Sequence, residues 1–130
     1  MNAFVTKRAS LAPDAIAPDG SEVRLLCATT GGSMARFTLH PGAVSRAVAH
    51  RTVEELWYIV AGCGRMWRKS GKREEVIDLA AGCSLTIPMG THFQFRCEAG
   101  APLEAVGVTM PPWPGEDEAY AVTGPWAATR

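Results

Sequence analysis

Short runs of alternating apolar and polar residues, separated by glycine, proline and Asx turns, fill most of this chain. In SMARFTLH, for example, Ala35, Phe37 and Leu39 share one side of an extended segment and polar residues share the other. The similar runs are SEVRLLCA, VSRAVAHR, ELWYIVA, RMWRKS, EEVIDLA, SLTIP, HFQFRC and LEAVGVTM. About eight short strands at regular spacing are typical of an all-β sandwich or barrel rather than an α/β fold.

The length of 130 residues predicts a single domain, residues 1–130, with its core at about 21–110. The remaining segment, 111–130, is rich in proline and acidic at its centre, and it contains one weak helical pattern. We therefore expect an extended C-terminal arm. Trp113 and Trp126 would anchor this arm on the barrel or on a partner subunit.

Charge and hydropathy exclude several classes of partner. Thirteen basic residues balance thirteen acidic residues, and no long block of one sign occurs. Nucleic-acid binding and polybasic membrane binding both need a basic surface, so neither is expected. No apolar run approaches the roughly 18 residues that span a bilayer, and the N-terminus lacks the apolar core of a signal peptide. These features favour a soluble cytoplasmic protein, in which the four cysteines are free thiols.

The stretch from Gly42 to Gly62 resembles the first cupin motif, which is a glycine, then His-x-His, a glutamate and a glycine. Here Gly42, His50, Glu55 and Gly62 have the family spacing, but Val48 stands where the first histidine belongs. The segment GCSLTIPMGTHFQFRC resembles the second motif. Its Gly82, Pro88 and Gly90 match, whereas Phe93 takes the histidine position and Cys97 the asparagine position.

The resemblance implies a small bacterial cupin, a double-stranded β-helix that forms a jelly-roll barrel. In the metal sites of that family, three histidines and a glutamate bind iron, manganese, nickel or zinc. Two histidines in a His-x-His pattern point to the same face of a strand, and imidazole with carboxylate suits such divalent ions. By strict spacing this chain keeps only His50 and Glu55 of the four ligands.

Two alignments of the second motif remain open. A one-residue shortening after Gly90 would bring His92 into the ligand position. The metal site would then be His50, Glu55 and His92, which is a two-histidine, one-carboxylate trio. Without the shift, His92 points away and the phenyl ring of Phe93 occupies that position. The shifted alignment, with His92 as a ligand, predicts one bound divalent ion. The unshifted alignment, with Phe93 in that position, predicts no complete metal site.

Other side chains are candidates for binding a ligand inside the barrel. The family spacing selects Glu55 rather than Glu54 as the inward carboxylate, and Trp57 then faces inward as well. Trp57, Phe93 and Phe95 would form an aromatic wall for a substrate. Arg46 shares the period-two face of His50 and could hold an anionic group.

Three functions follow as hypotheses. The first is a metal-dependent dioxygenase, isomerase or lyase that acts on a small organic molecule. The second is a metal-free enzyme in which Glu55 and His50 act as acid and base, because burial raises a carboxyl pKa. The third is a ligand-binding or sensor module without catalysis. Exposed strand edges and surface aromatics such as Tyr58 and Trp67 also predict a homodimer.

Overall fold

The computed structural model describes residues 3–130, and these form two antiparallel β-sheets. The strands are β1 Ala15–Ile16, β2 Glu22–Ala28, β3 Ser33–Leu39, β4 Val48–His50, β5 Glu54–Ala61, β6 Cys63–Ser70, β7 Arg73–Ala80, β8 Ser84–Ile87, β9 His92–Cys97, β10 Leu103–Met110 and β11 Ala119–Ala121. One sheet has the order β1-β2-β3-β10-β5-β8 and the other the order β11-β4-β9-β6-β7. The all-β, double-stranded β-helix predicted from the sequence is confirmed.

Period-two alternation places the core between the two sheets. Along β5, the side chains of Trp57 and Ile59 are buried, whereas those of Leu56 and Tyr58 are half exposed. The alternation expected for this strand is therefore confirmed. The buried cluster between the sheets also contains Leu39, Val48, Met66, Leu79, Leu85, Ile87, Phe93, Phe95, Cys97, Leu103 and Ala105.

The C-terminal arm adds to the second sheet. Within residues 3–130 the weak helical pattern forms no helix, and β11 pairs with β4 instead. Farther along, the amide side chain of Gln94 donates to the carbonyl of Trp126 at 2.8 Å, and the guanidinium of Arg96 lies 5.3 Å from the Trp126 ring centroid. Trp126 is thus an anchor on the barrel, as expected. Trp113 lies near the candidate site described below.

The outer face of the first sheet carries apolar side chains from β5 and β10. Leu56 and Tyr58 lie beside Val106 and Val108 along a shallow groove of about 380 Å³. The other expected surface aromatic, Trp67, is instead buried, and its indole N–H donates to Glu74 at 2.8 Å. The expected homodimer stays a prediction. In the part of the chain that the structure describes, no helix is long and apolar enough to cross a membrane.

Candidate acid–base site

His50 and Glu55 meet at one end of the barrel although they belong to different sheets. His50 is the last residue of β4, and Glu55 is the second residue of β5. The short turn 51–53 carries the chain from one sheet to the other. The Nδ1 atom of His50 lies 3.4 Å from Oε1 of Glu55, and both side chains are about 5% exposed. The sequence spacing had suggested this pair, and the structure brings the two side chains together.

The two groups of this pair are incompletely hydrogen-bonded. A separation of 3.4 Å is long for a hydrogen bond between nitrogen and oxygen. Among residues 3–130, neither His50 Nδ1 nor the indole nitrogen of Trp57 has a hydrogen-bond partner, and both atoms are buried. Buried polar atoms without partners are rare in folded proteins. Both atoms therefore have unused hydrogen-bonding capacity.

The surroundings of Glu55 favour its neutral form. Burial disfavours the carboxylate and raises the pKa of Glu55 from 4.5 to about 7, with a smaller contribution from the negative charge of Asp19. The hydroxyl of Thr109, which lies opposite Glu55 on β10, donates to Oε2 at 3.0 Å. This hydrogen bond and the indole of Trp57 act in the opposite direction and limit the rise in pKa.

His50 also lies in surroundings that disfavour its charge. The ring of Phe93 contacts the imidazole edge to face, with centroids 5.3 Å apart, and the ring of Trp113 does so at 5.2 Å. Burial lowers the pKa of His50 from 6.5 to about 4, although the negative charge of Glu118 acts against this. The pKa of this glutamate is therefore higher than that of the histidine, which is the reverse of their usual order. Between these two pKa values the titrating proton resides on Glu55, and His50 is neutral.

The donor set at this site does not match the four-ligand cupin metal centre. Val48 and Phe93 occupy the two remaining ligand positions, and both are buried. His92 precedes Phe93 on β9, so its side chain points to the other face of that strand, and it is only half buried. In the ladder between β9 and β6, His92 lies opposite Lys69. Within residues 3–130, no three histidine, cysteine, aspartate or glutamate side chains are grouped to hold a metal ion. The structure therefore does not bring His92 together with His50 and Glu55.

The predicted aromatic wall is present as a packed cluster. The indole of Trp57 contacts the ring of Phe95 edge to face at 5.1 Å and the ring of Phe93 at 6.3 Å. The indole of Trp57 also stacks on the ring of Phe37, with the ring centroids 5.2 Å apart. Trp57, Phe93 and Phe95 are each about 2% exposed or less, so they form a packed part of the core beside His50.

Arg46 does not have the inward orientation expected of it. The regular ladder of β4 begins only at Val48, so the period-two face of His50 does not extend back to position 46. The exposed guanidinium of Arg46 instead donates from Nε to the main-chain oxygen of Arg130 at 2.8 Å. It thus binds the C-terminal arm on the surface.

Sequence reasoning missed two residues that shape the site. Thr109 matched no motif, and only its register opposite Glu55 reveals its role. Glu118 lies in the arm, yet its carboxylate is buried and accepts hydrogen bonds from the hydroxyl and main-chain N–H of Thr52 and from the N–H of Val53. These bonds lower the pKa of Glu118 even though its burial acts to raise it. Glu118 therefore fixes the turn between His50 and Glu55.

Comparison with known proteins agrees with the fold and the motifs. The model of the cupin domain family matches residues 35–109, which is more than half of the chain. The chain belongs to the cupin family. This match includes His50, Glu55 and the positions that Val48 and Phe93 now occupy. No curated protein matches the chain.

Solved structures show the same fold at low sequence identity. KdgF from Halomonas sp. aligns with a TM-score of 0.66 and 15% identity, over 78% of this chain and 86% of that one. Streptomyces PAC13, in a structure with uridine, aligns with a TM-score of 0.69 and 16% identity, over 92% of both chains. An oxalate decarboxylase from Bacillus subtilis aligns with a TM-score of 0.69 and 17% identity, over 82% of this chain but 29% of its own length.

Proposed function

We propose that this cupin is a small-molecule enzyme in which Glu55 and His50 transfer protons, as acid and base, at one end of the barrel. The observation that carries the proposal is the buried pair itself, with His50 Nδ1 3.4 Å from Glu55 Oε1. A general base must lie within hydrogen-bonding reach of the proton that it takes, and such contacts often tighten only when substrate binds.

The protonation states suit such a role near neutral pH. With a pKa of about 7, Glu55 is present in comparable amounts as acid and as carboxylate. A group of this kind is efficient because it is available in either form and transfers its proton readily. His50 is neutral in the same range and is the weaker base of the two, so it can relay a proton between the substrate and Glu55 but does not hold it. Isomerisation and elimination are the reaction classes that need one proton removed and one returned.

The walls of the site indicate the kind of substrate. Trp57 and Phe93 supply apolar surface, while the unpaired Trp57 indole N–H offers one hydrogen bond. Arg46, the cation expected at the site, lies outside the barrel. We infer a small, uncharged substrate with an acceptor such as a carbonyl oxygen. PAC13, which has this fold, has a structure with uridine, and this supports a ligand of small-molecule size.

The metal-dependent alternative requires ligands that this site does not group. Cupin metal centres use three histidines and a glutamate, whereas among the residues described, 3–130, His50 and Glu55 are the two that lie together. Iron, manganese, nickel or zinc would have to be held by two protein side chains beside the ring of Phe93. These residues do not fit the group, so no step is assigned to a metal.

Proton exchange gives a direct test without knowledge of the natural substrate. The purified protein would be incubated in deuterated water with a panel of small uncharged ketones and lactones, in the presence of chelator. Deuterium incorporation next to the carbonyl would be followed by NMR. We expect the wild type to catalyse incorporation for at least one compound, and Glu55→Gln and His50→Gln to lose it. Glu54→Gln, on the outward face of β5, is the matched control and should retain it.

Three outcomes would contradict the proposal. Exchange that requires added metal would indicate the metal-dependent enzyme. Exchange that persists in Glu55→Gln would place the chemistry elsewhere. Binding of panel compounds without any exchange, seen as saturable NMR shift changes, would indicate the non-catalytic binding module.

A further inference from the structure

Trp113 covers the exposed side of His50. Its ring contacts the imidazole edge to face at 5.2 Å, while Phe93 contacts the imidazole from within the barrel at 5.3 Å. His50 is only 5% exposed although it lies at the end of a strand. Trp113 is itself 36% exposed, so its indole lies between the imidazole and solvent. A ligand approaching His50 from this side must displace the indole.

The segment that carries Trp113 is lightly held. Three of the four residues in 111–114 are prolines, which have no N–H to donate. Within the described residues, the hydrogen bond that this segment makes runs from the main-chain N–H of Trp113 to the hydroxyl of Ser33, at 2.9 Å. Movement of the segment is therefore opposed mainly by this one hydrogen bond and by the contact between Trp113 and His50.

The arm immediately beyond this segment is firmly held. Glu118 accepts three hydrogen bonds from the turn 51–53, and β11 pairs with β4 over three residues. The guanidinium of Arg51 also donates to the carbonyl of Asp117 at 2.9 Å. Between the two parts lies Gly115, whose φ of +144° suits glycine and which has open space around it. The arm is thus fixed after residue 116 and loosely attached before it.

We propose that Trp113 is the gate of the acid–base site, and that the segment 111–114 swings about Gly115 to admit a ligand to His50 while the rest of the arm stays in place. This proposal rests on the proposed function for its biological meaning. The movement itself is independent of catalysis and can be measured without a substrate.

Acylation of histidine by diethyl pyrocarbonate measures access to His50. The reagent acylates neutral imidazole, and at pH 6 His50 is neutral because its pKa is about 4. The rates at the three histidines would be followed by peptide mass spectrometry. His40, whose side chain is 60% exposed and lies 2.7 Å from the carboxylate of Glu22, is the internal reference in the same sample. Trp126→Ala is the matched control, since Trp126 belongs to the same arm but packs on Arg96 outside the barrel.

We expect Trp113→Ala to raise the acylation rate of His50 relative to His40 by about tenfold, the size of effect expected when a local opening step is removed. Trp113→Phe should keep most of the protection, and Trp126→Ala should leave the ratio unchanged. Hydrogen exchange should show the amide of Trp113 exchanging faster than those of Thr52 and Val53.

An unchanged His50 rate in Trp113→Ala would overturn the gate, and so would an equal increase in Trp126→Ala, which would indicate general loosening of the arm. These results are separate from the deuterium test of the acid–base pair. If Trp113 protects His50 from acylation but the protein catalyses no deuterium exchange, the site is a gated binding site. If the protein catalyses exchange but Trp113 does not protect His50, it is an enzyme without a gate.

Discussion

Val48 and Phe93 lie directly opposite one another where β4 pairs with β9. These are the two positions at which the cupin motifs would place the missing histidines. Both side chains are buried, so an apolar pair fills the space that two metal ligands would share. The two departures from the motifs are thus a single structural change. They produce a barrel end in which His50 and Glu55 face hydrocarbon.

Restoring both ligand positions should create a metal site. In Val48→His/Phe93→His, two new histidines would join His50 and Glu55 to complete the four ligands of the family pattern. Side-chain volume would increase at position 48 and decrease at position 93. We expect the double variant to bind nickel or zinc at least roughly tenfold more tightly than the wild type, because four donors replace two. Isothermal titration calorimetry measures the difference. His92→Ala should not alter binding in either background, since His92 faces away.

Stoichiometric metal in the wild-type protein that is lost in His50→Ala, Glu55→Ala and His92→Ala would contradict this account. It would instead support the trio that the shifted alignment predicts. Metal content by plasma mass spectrometry, on protein purified without chelator, distinguishes the two.

The fold was predictable because its information is local. Alternating patterns mark the faces of strands such as β3 and β5, and the glycines of the two motifs mark turns. Gly42, Gly62, Gly82 and Gly90 all have positive φ, which glycine adopts without strain. The weak helical pattern in the arm failed as a predictor because pairing with β4 outweighs local propensity.

The site was predictable only in part. The spacing of His50 and Glu55 identified the pair, and the unshifted register of β9 is the one observed. The contributions of Thr109 and Glu118 depend on pairing between residues 54 and 66 positions apart, which no single-sequence pattern contains. Arg46 was misplaced because the predicted strand begins at Val44, four residues before the observed start of β4, and one break in a ladder changes which face a side chain occupies.

The inverted pKa order makes an unusual prediction for stability against pH. The pKa of Glu55 is higher in the folded protein, at about 7, than its ordinary 4.5, so its stabilising contribution is complete below pH 4.5 and is lost as pH rises to 7. The pKa of His50 is lower, at about 4 against 6.5, so stability is lost as pH falls from 6.5 to 4. Each contribution amounts to about 3 kcal/mol for shifts of this size.

The two slopes have opposite sign and cancel between about pH 4.5 and 6.5. Removing one group should therefore expose the other. Relative to the wild type, the free energy of unfolding of Glu55→Gln should rise with pH in this range, and that of His50→Gln should fall. Urea denaturation at half-unit pH intervals gives both difference curves. Parallel curves for all three proteins would show that neither group has a shifted pKa.

Thr109 should set the proton affinity of Glu55. Its hydroxyl donates to the carboxylate at 3.0 Å and lowers the pKa, so Thr109→Val should raise the pKa of Glu55 further. The loss of one buried hydrogen bond should also cost about 1 kcal/mol of stability. NMR of the Glu55 carboxyl carbon across pH reports the first effect. Thr86→Val, on the exposed face of β8, is the control, and an equal change there would argue against a specific role.

Glu118 should hold the turn that orients His50 towards Glu55. In Glu118→Ala, the hydroxyl of Thr52 and the amides of Thr52 and Val53 lose a buried carboxylate acceptor. We expect a loss of roughly 2 to 3 kcal/mol, because bonds to charged groups are strong and the main-chain N–H of Val53, a buried residue, would lose its acceptor. Hydrogen exchange should accelerate at residues 52 and 53. Glu116→Ala, an exposed neighbour in the arm, should leave both measurements unchanged.

Gly107 should be required for the position of Trp57. It lies opposite Trp57 on β10, and a Cβ atom added there would come within 2.8 Å of the Phe37 ring and 3.2 Å of the Trp57 indole nitrogen. Gly107→Ala must therefore separate the stacked rings, which should destabilise the protein by about 1 to 3 kcal/mol.

The same displacement moves the indole N–H away from the acid–base pair, so proton exchange should decline more than stability alone explains. Tryptophan fluorescence, to which Trp57 is one of four contributors, and deuterium incorporation would be compared with those of Gly31→Ala, where a Cβ atom meets nothing within 4 Å. If Gly107→Ala lost stability but kept full exchange, Trp57 would be a structural residue only. If it lost neither, the barrel would be able to accommodate the extra carbon, and the close packing of this wall would not matter for function.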